Sequence, residues 1–562
     1  MRASVPRKGR RDTLGYDYIV VGAGSAGCAL ASRLSEDPTC TVLLIEAGGA
    51  KHNLQIKAPG LVATLWRSKY DWGFRTTPQK HMFGRRGYWP RGRVLGGTSC
   101  LNYMIYMRGH RADYDGWRDL GNVGWGYDDL LPYFKRSEDN DLGGPYHGRG
   151  GPLRVETVPE PAEICVRLAE AGAEVCDVPM VDDHNTPERE GFGLFQLTTR
   201  DARRCSTAVA YLEPALERPN LTVVTDAHVE RVVLEGRRAV AVQYHEGGET
   251  RQAFAYEEIA MCAGAIGSPH ILMLSGIGAS DVLGRANVSV RHELAGVGKN
   301  LQDHLYGGVG YEVTTNAAPR INTLSVMGWL GRYLLGQGGP LAVTASQSGG
   351  FIRTNASAAI PDLQFHLLCT MPPDVALDEV NYDPKGRGCS LVPTLLYPKS
   401  RGEITLESAD PWTPPLIDPR YLEDEADVDV LVRGGEISLE IAQSPAVRSH
   451  LGKPATAYSH FDITRDEMVR GIRERAATIY HPVGTCKMGV DEMAVVGPDL
   501  RVRGLEGLRV ADASIMPTIP GGNTNAPTIM VAEKAADLIR SRVAVGDRDK
   551  ASPAEEPPRA WT

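Results

Sequence analysis

Nowhere in this 562-residue chain do apolar side chains run unbroken for the ~18 positions of a membrane-spanning helix, so no transmembrane segment is expected. A surplus of positive charge is also missing. The formal net charge is -8, which excludes nucleic acid as a main partner, because phosphate binding asks for a basic field. The acidic balance reads as a solvated surface. The ten cysteines form no CxxC pair and no metal-type spacing, so no metal is expected. Several sit in apolar runs, where a thiol packs as a small hydrophobe, and this suggests a reducing compartment. No apolar run follows the basic residues Arg2, Arg7, Lys8, Arg10 and Arg11 to complete an export signal. The expected location is cytoplasmic, with peripheral membrane association compatible. Glycine and proline, at 62 and 37, show no period that would indicate a fibre or solenoid.

What the chain does have is a normal globular composition, 42 % apolar and 23 % charged, over a length that calls for two or three folding units. Residues 1–13 and the Pro- and Glu-rich stretch 545–562 read as disordered.

The most informative stretch comes early. Residues 16–21, TyrAspTyrIleValVal, suit a buried parallel strand. Gly22, Ala23, Gly24, Ser25, Ala26 and Gly27 follow at once, and residues 28–34 have helical character. Residues 41–46 give a second strand ending in Glu46. This is a dinucleotide-binding βαβ unit. Gly22 permits the tight turn, Gly24 lets the backbone approach a pyrophosphate, and Gly27 lets helix and strand pack closely. The helix N-terminus, with Ser25 and Ala26, offers unpaired N–H groups and its positive dipole end to phosphate. Glu46 arrives about 20 residues on, where a carboxylate accepts from ribose hydroxyls. The unit alone leaves FAD and NAD both open.

Four further segments stand out. Residues 89–102 form a glycine-rich stretch with Arg91 and Arg93 at its rim. Residues 257–278 read as strand, small-residue turn at Ala263, and helix. Residues 480–489 are TyrHisProValGlyThrCysLysMetGly. Residues 508–528 contain AlaAspAlaSer and AsnThrAsnAlaProThr ahead of a helix over 529–539. In this order the segments resemble the glucose–methanol–choline (GMC) family of flavoprotein oxidoreductases, specifically its choline and alcohol dehydrogenase branch, over residues 17–539.

The resemblance implies FAD as cofactor and an α/β plus α+β fold, in which a Rossmann-like FAD domain interleaves with a substrate domain built on an antiparallel sheet. The FAD domain is expected at 14–158, 196–306 and 474–541, and the substrate domain at 159–195 and 307–473. Strand-like runs at 363–368, 389–397 and 403–407 suit the latter. By resemblance Gly97 and Asn102 lie near the pyrophosphate and flavin ring, Val229 near adenine, Asp512 and Ala513 near the ribityl chain, and Thr528 near the ring. His481 matches the family's catalytic base. A histidine suits that task, since its ordinary pKa of about 6.5 leaves it neutral near pH 7. Asn525 is taken as its active-site partner; an amide can hydrogen-bond an alcohol oxygen but cannot act as a base.

Two departures matter. Relatives that hold FAD covalently do so through a histidine before the Asn of the first signature; here that residue is Leu101, so non-covalent FAD is expected. Choline-oxidising relatives carry a carboxylate before the GlyGlyPhe segment; here Gln347 stands there, which favours a neutral primary alcohol. Trp66, Phe351, His366 and Tyr397 are candidate pocket residues. The electron acceptor is a quinone, a carrier protein or O2. A hydroxynitrile lyase or a light-driven decarboxylase is a rival reading, the latter disfavoured because residues 394–402 hold no Cys beside Pro398.

Overall fold

A computed structural model of the chain describes residues 14–371 and 386–549. Residues 1–13 and 550–562, both expected to be disordered, lie outside that range. The last helix, Asn525–Asp549, runs five residues into the stretch 545–562, because no proline interrupts the chain there before Pro553.

The first strand, Leu14–Val21, is central to a seven-stranded sheet. Its residues 18–21 are buried, as a β-branched run flanked on both sides requires. On one side it pairs in parallel with Val42–Ile45, which pairs with Leu221–Val224. On the other it pairs in parallel with the long strand Glu249–Met261. The C-terminal end of that strand takes Leu508–Val510 in parallel. Its N-terminal half instead folds back through Gly247 and Gly248, both at positive φ, into an antiparallel ribbon with Arg238–Glu246 and then Ala227–Glu235. Strand order therefore reverses beside Leu14–Val21. In an open parallel sheet, that is where a crevice forms at the carboxyl ends of the strands.

A second, eight-stranded sheet runs Leu451–Pro454, Val309–Val313, Gly388–Leu395, Leu363–Leu368, Ser346–Ile352 and Gly191–Leu194, all antiparallel. The short strands Leu305–Tyr306 and Ala477–Thr478 join at its end. Helices Glu163–Cys176 and Glu425–Gln443 pack on one face. Side chains alternate accordingly: Phe365 and Leu367 enter the core, whereas His366 and Leu368 turn to a cavity on the other face. Both sheets thus collect strands from widely separated stretches of chain. The run at 403–407 does not join the eight-stranded sheet; Glu403–Thr405 pairs with Leu416–Asp418 in a separate hairpin. All ten cysteines are free, eight of them buried. Among the described residues no helix is long and apolar enough to cross a membrane, and no cluster of side chains is placed to hold a metal.

Candidate active site

A cavity of about 620 Å³ runs from the crevice of the parallel sheet to the open face of the antiparallel one. Its first half is backbone. Gly22 turns at φ +95°, and its N–H donates to Ile45 O at 2.8 Å. Gly24 is the N-cap of helix Ser25–Leu34 and offers no side chain to the first-turn N–H groups, which therefore stay available to an anion. Gly97 sits against it: a Cβ there would lie 2.6 Å from Gly24 Cα. Gly22, Gly24, Ser25, Ala26, Glu46, Gly97, Asn102, Val229, Ala263, Asp512, Ala513, Asn525 and Thr528 all line the cavity. Gly27, expected among the cofactor contacts, does not. Its place is under the turn, where a Cβ would fall 1.8 Å from Gly22 O, so it serves the packing of the helix on the strand.

Glu46 is buried, and burial raises its pKa to about 7 although Ala23 and Gly48 N–H groups each donate to it at 2.9 Å. Asp512 caps the turn Ala513–Ile515 and accepts from Gly264 N–H and Ser268 Oγ, tying that turn to helix Gly264–Leu274. Asn102 accepts from the Arg204 guanidinium at 2.7 Å. Beyond Val229 the cavity ends at aromatic rings, with Trp412 stacked on His228 at 4.4 Å. An uncapped helix N-terminus, a buried carboxylate and an aromatic end fit the parts of an FAD.

The other half centres on His481. The residue before it, Tyr480, is held at φ +72°, with its carbonyl accepting from the Arg91 guanidinium. His481 N–H donates to Asp303 Oδ1 at 2.7 Å, and Asp303 also accepts from the Tyr421 hydroxyl. The next residue, His304, decides which ring nitrogen of His481 carries its proton. His304 Nε2 lies 3.0 Å from Leu396 O, and a carbonyl only accepts, so Nε2 carries hydrogen. Burial lowers the His304 pKa to about 3, so the ring is neutral and its Nδ1 holds a lone pair. His481 Nδ1, 2.9 Å from that lone pair, must donate. The remaining nitrogen of His481, Nε2, therefore presents its lone pair on the cavity side, 3.2 Å from Asn523 Nδ2. Burial, and then the fields of His304, His366 and Arg91, hold the His481 pKa well below the ordinary value.

The amide within hydrogen-bond distance of His481 Nε2 is thus that of Asn523, while Asn525 lines the same cavity. Asn525 opens the last helix and accepts from Ser25 Oγ at 2.7 Å, on the dinucleotide side. Three other expectations change. Gln347 faces away from the cavity: its amide accepts from Ala162 N–H at 2.6 Å and donates to Thr344 O at 2.9 Å, and Ser346 is on the wall instead. Tyr397 donates to Asp113 at 2.9 Å, and Phe351 lies under the Arg189 guanidinium at 3.5 Å; both belong to the scaffold. Trp66 and His366 do line the cavity. The Asp303–His304 pair went unnoticed because its only sequence signal is two chemistry-bearing residues in a row, and its partner is 177 positions away.

A dinucleotide cradle opening onto a neutral buried histidine is the frame of a cofactor-dependent oxidoreductase. The chain belongs to the GMC oxidoreductase family, whose N- and C-terminal models match residues 16–306 and 398–532. It is an FAD-dependent oxidoreductase. It is 40 % identical over 551 residues to an alcohol dehydrogenase [acceptor] of Pseudomonas putida, covering 95 % of this chain and 97 % of that protein. It is 41 % identical over 551 residues to the mitochondrial choline dehydrogenase of Homo sapiens, covering 95 % and 91 %. A crystal structure of pyridoxine 4-oxidase from Mesorbium loti superposes with a TM-score of 0.85 at 34 % identity, covering 94 % of this chain and 99 % of that one.

Proposed function

We propose that the chain oxidises a neutral primary alcohol to the aldehyde. The Nε2 lone pair of His481, fixed toward the cavity by the His304–Leu396 chain of hydrogen bonds, carries this reading. FAD, when bound, supplies the acceptor for the hydride that leaves the alcohol carbon. His481 Nε2 takes the hydroxyl proton, which makes the carbon the better hydride donor. Asn523 Nδ2 donates to the alcohol oxygen and positions it beside Nε2. Asn523 has no basic site, so of this pair only His481 can take the proton.

The walls support a neutral substrate. The carboxylates among the lining residues are Glu46 and Asp512, both in the dinucleotide half. Among the described residues, a quaternary ammonium such as choline would meet no carboxylate on the cavity wall beside His481. Leu101, on the wall where covalent relatives have a nucleophile, supports non-covalent FAD. FAD is assigned to 14–158, 196–306 and 474–541, and the substrate to 159–195 and 307–473. The free thiols support a reducing, cytoplasmic setting. Electrons pass on to a quinone or a carrier protein; the similarity to an oxidase keeps O2 as the second reading.

The test is product analysis with purified protein, a primary alcohol and either a quinone analogue or air. Aldehyde is expected with the quinone, and no hydrogen peroxide in air. Aldehyde with peroxide in air moves the acceptor to O2. No aldehyde under either condition rejects alcohol oxidation.

A further inference from the structure

Asn523 brings its amide to His481 without an anchor of its own. Its Oδ1 is buried and meets no hydrogen-bond partner among the described residues. The side chain therefore sits where the backbone before it, Gly521 and Gly522, delivers it. That backbone is gripped from both sides. Gly521 N–H donates to Asp113 Oδ2 at 2.8 Å, and Gly521 O accepts from the Arg189 guanidinium at 2.8 Å. Gly522 follows at φ +150°, and a Cβ there would lie 3.3 Å from Met107 Cβ. Asp113 and Arg189 are both buried, and neither lines the cavity.

Arg189 is unusual for a buried cation. Its Nε and Nη2 have no hydrogen-bond partner, and among the described residues no carboxylate pairs with it directly. Its plane rests on the Phe351 ring, 3.5 Å from the centroid. A guanidinium with two of its three nitrogens unpaired is a poor stabiliser of a fold. What it does supply is a charge-assisted bond, roughly twice as strong as a neutral one, aimed at a single carbonyl.

We infer that Arg189 and Asp113 are positioning residues for the oxidation: they clamp Gly521 so that Asn523 Nδ2 is held at the alcohol oxygen beside His481. The inference rests on the alcohol-oxidising reading of the site. An anion at the N–H and a cation at the carbonyl hold two successive peptide groups, which leaves only Gly522 between the clamp and Asn523. Asp113 is itself fixed, accepting from Tyr397 Oη at 2.9 Å and from His110 N–H at 2.6 Å. The clamp acts only through Asn523, so it has nothing left to position once that amide is removed.

The experiment is a double-mutant cycle on the anaerobic reduction of bound flavin by a primary alcohol, 1-octanol, in the FAD-loaded protein. The variants are Arg189→Met, Asn523→Ala, the two combined, and Arg189→Gln. Arg189→Met should slow the reduction rate constant about five- to tenfold. In the Asn523→Ala background the same change should slow it less than about twofold, because the two losses are one loss. Arg189→Gln, whose amide can still donate to Gly521 O, should recover most of the rate. If Arg189→Met fails to fold, Phe351→Leu removes the ring under the guanidinium instead. It should slow reduction about threefold and lose that effect in the Asn523→Ala background. Wild-type rates in the Arg189→Met or Phe351→Leu protein, or losses that multiply with that of Asn523→Ala, overturn the clamp while alcohol oxidation stands. If Asn523→Ala itself reacts at the wild-type rate, or no alcohol reduces the flavin, the reading of the site falls, and the clamp with it.

Discussion

At the scale of single residues, the account turns on the protonation of His481. Burial and nearby positive charge penalise the imidazolium, so its pKa in the folded protein lies well below 6.5. In the proposed reaction the neutral form is the reactive one. Raising the pH from 6.5 to 8.5 should leave the rate of flavin reduction by alcohol flat, and the rate should fall only well below pH 6.5. A sigmoid centred near 6.5 or above would show that His481 is not shielded in this way. The two asparagines of AsnThrAsn separate by the same assay. Asn523→Ala should slow reduction by about tenfold with FAD retained. Asn525→Ala should weaken FAD binding, since it removes the partner of Ser25 at the cradle. His481 was legible as a motif. The choice between 523 and 525 was not, because both are amides two positions apart and only the start of the last helix decides which one faces His481.

At the scale of elements, close backbone contact sets what can be exchanged. Gly97 is at φ +51° and touches Gly24 across the cradle. Gly97→Ala must push the two loops apart, so FAD affinity should drop by at least about tenfold, measured by flavin fluorescence on dilution. Unchanged affinity would place the cofactor away from this contact. The βαβ unit was readable because strand, glycines, helix and acid each do a mechanical job at fixed spacing. The direction of Gln347 was not. The pairing of strand Ser346–Ile352 slips between Ser346 and Ser348, and a one-residue slip exchanges the faces of a strand. Ser346 thereby reaches the cavity, and Gln347 is tied to Ala162 and Thr344.

At the scale of the molecule, two sheets assembled from distant stretches bring the carboxyl ends of one and the open face of the other to a single cavity. The motifs that reach this cavity are spread over nearly the whole chain. The residues that orient the His481 ring were hidden, because Asp303 and His304 act only through tertiary contact with Tyr421, Leu396 and His481. The central claim, a base that takes the proton while the cofactor takes the hydride, is met most directly by anaerobic bleaching of the bound flavin with 1-octanol in wild type and His481→Ala. Wild type should bleach, and His481→Ala should stay yellow with its flavin bound and bleach about 10²–10⁴-fold more slowly. A variant that bleaches at the wild-type rate would contradict the account.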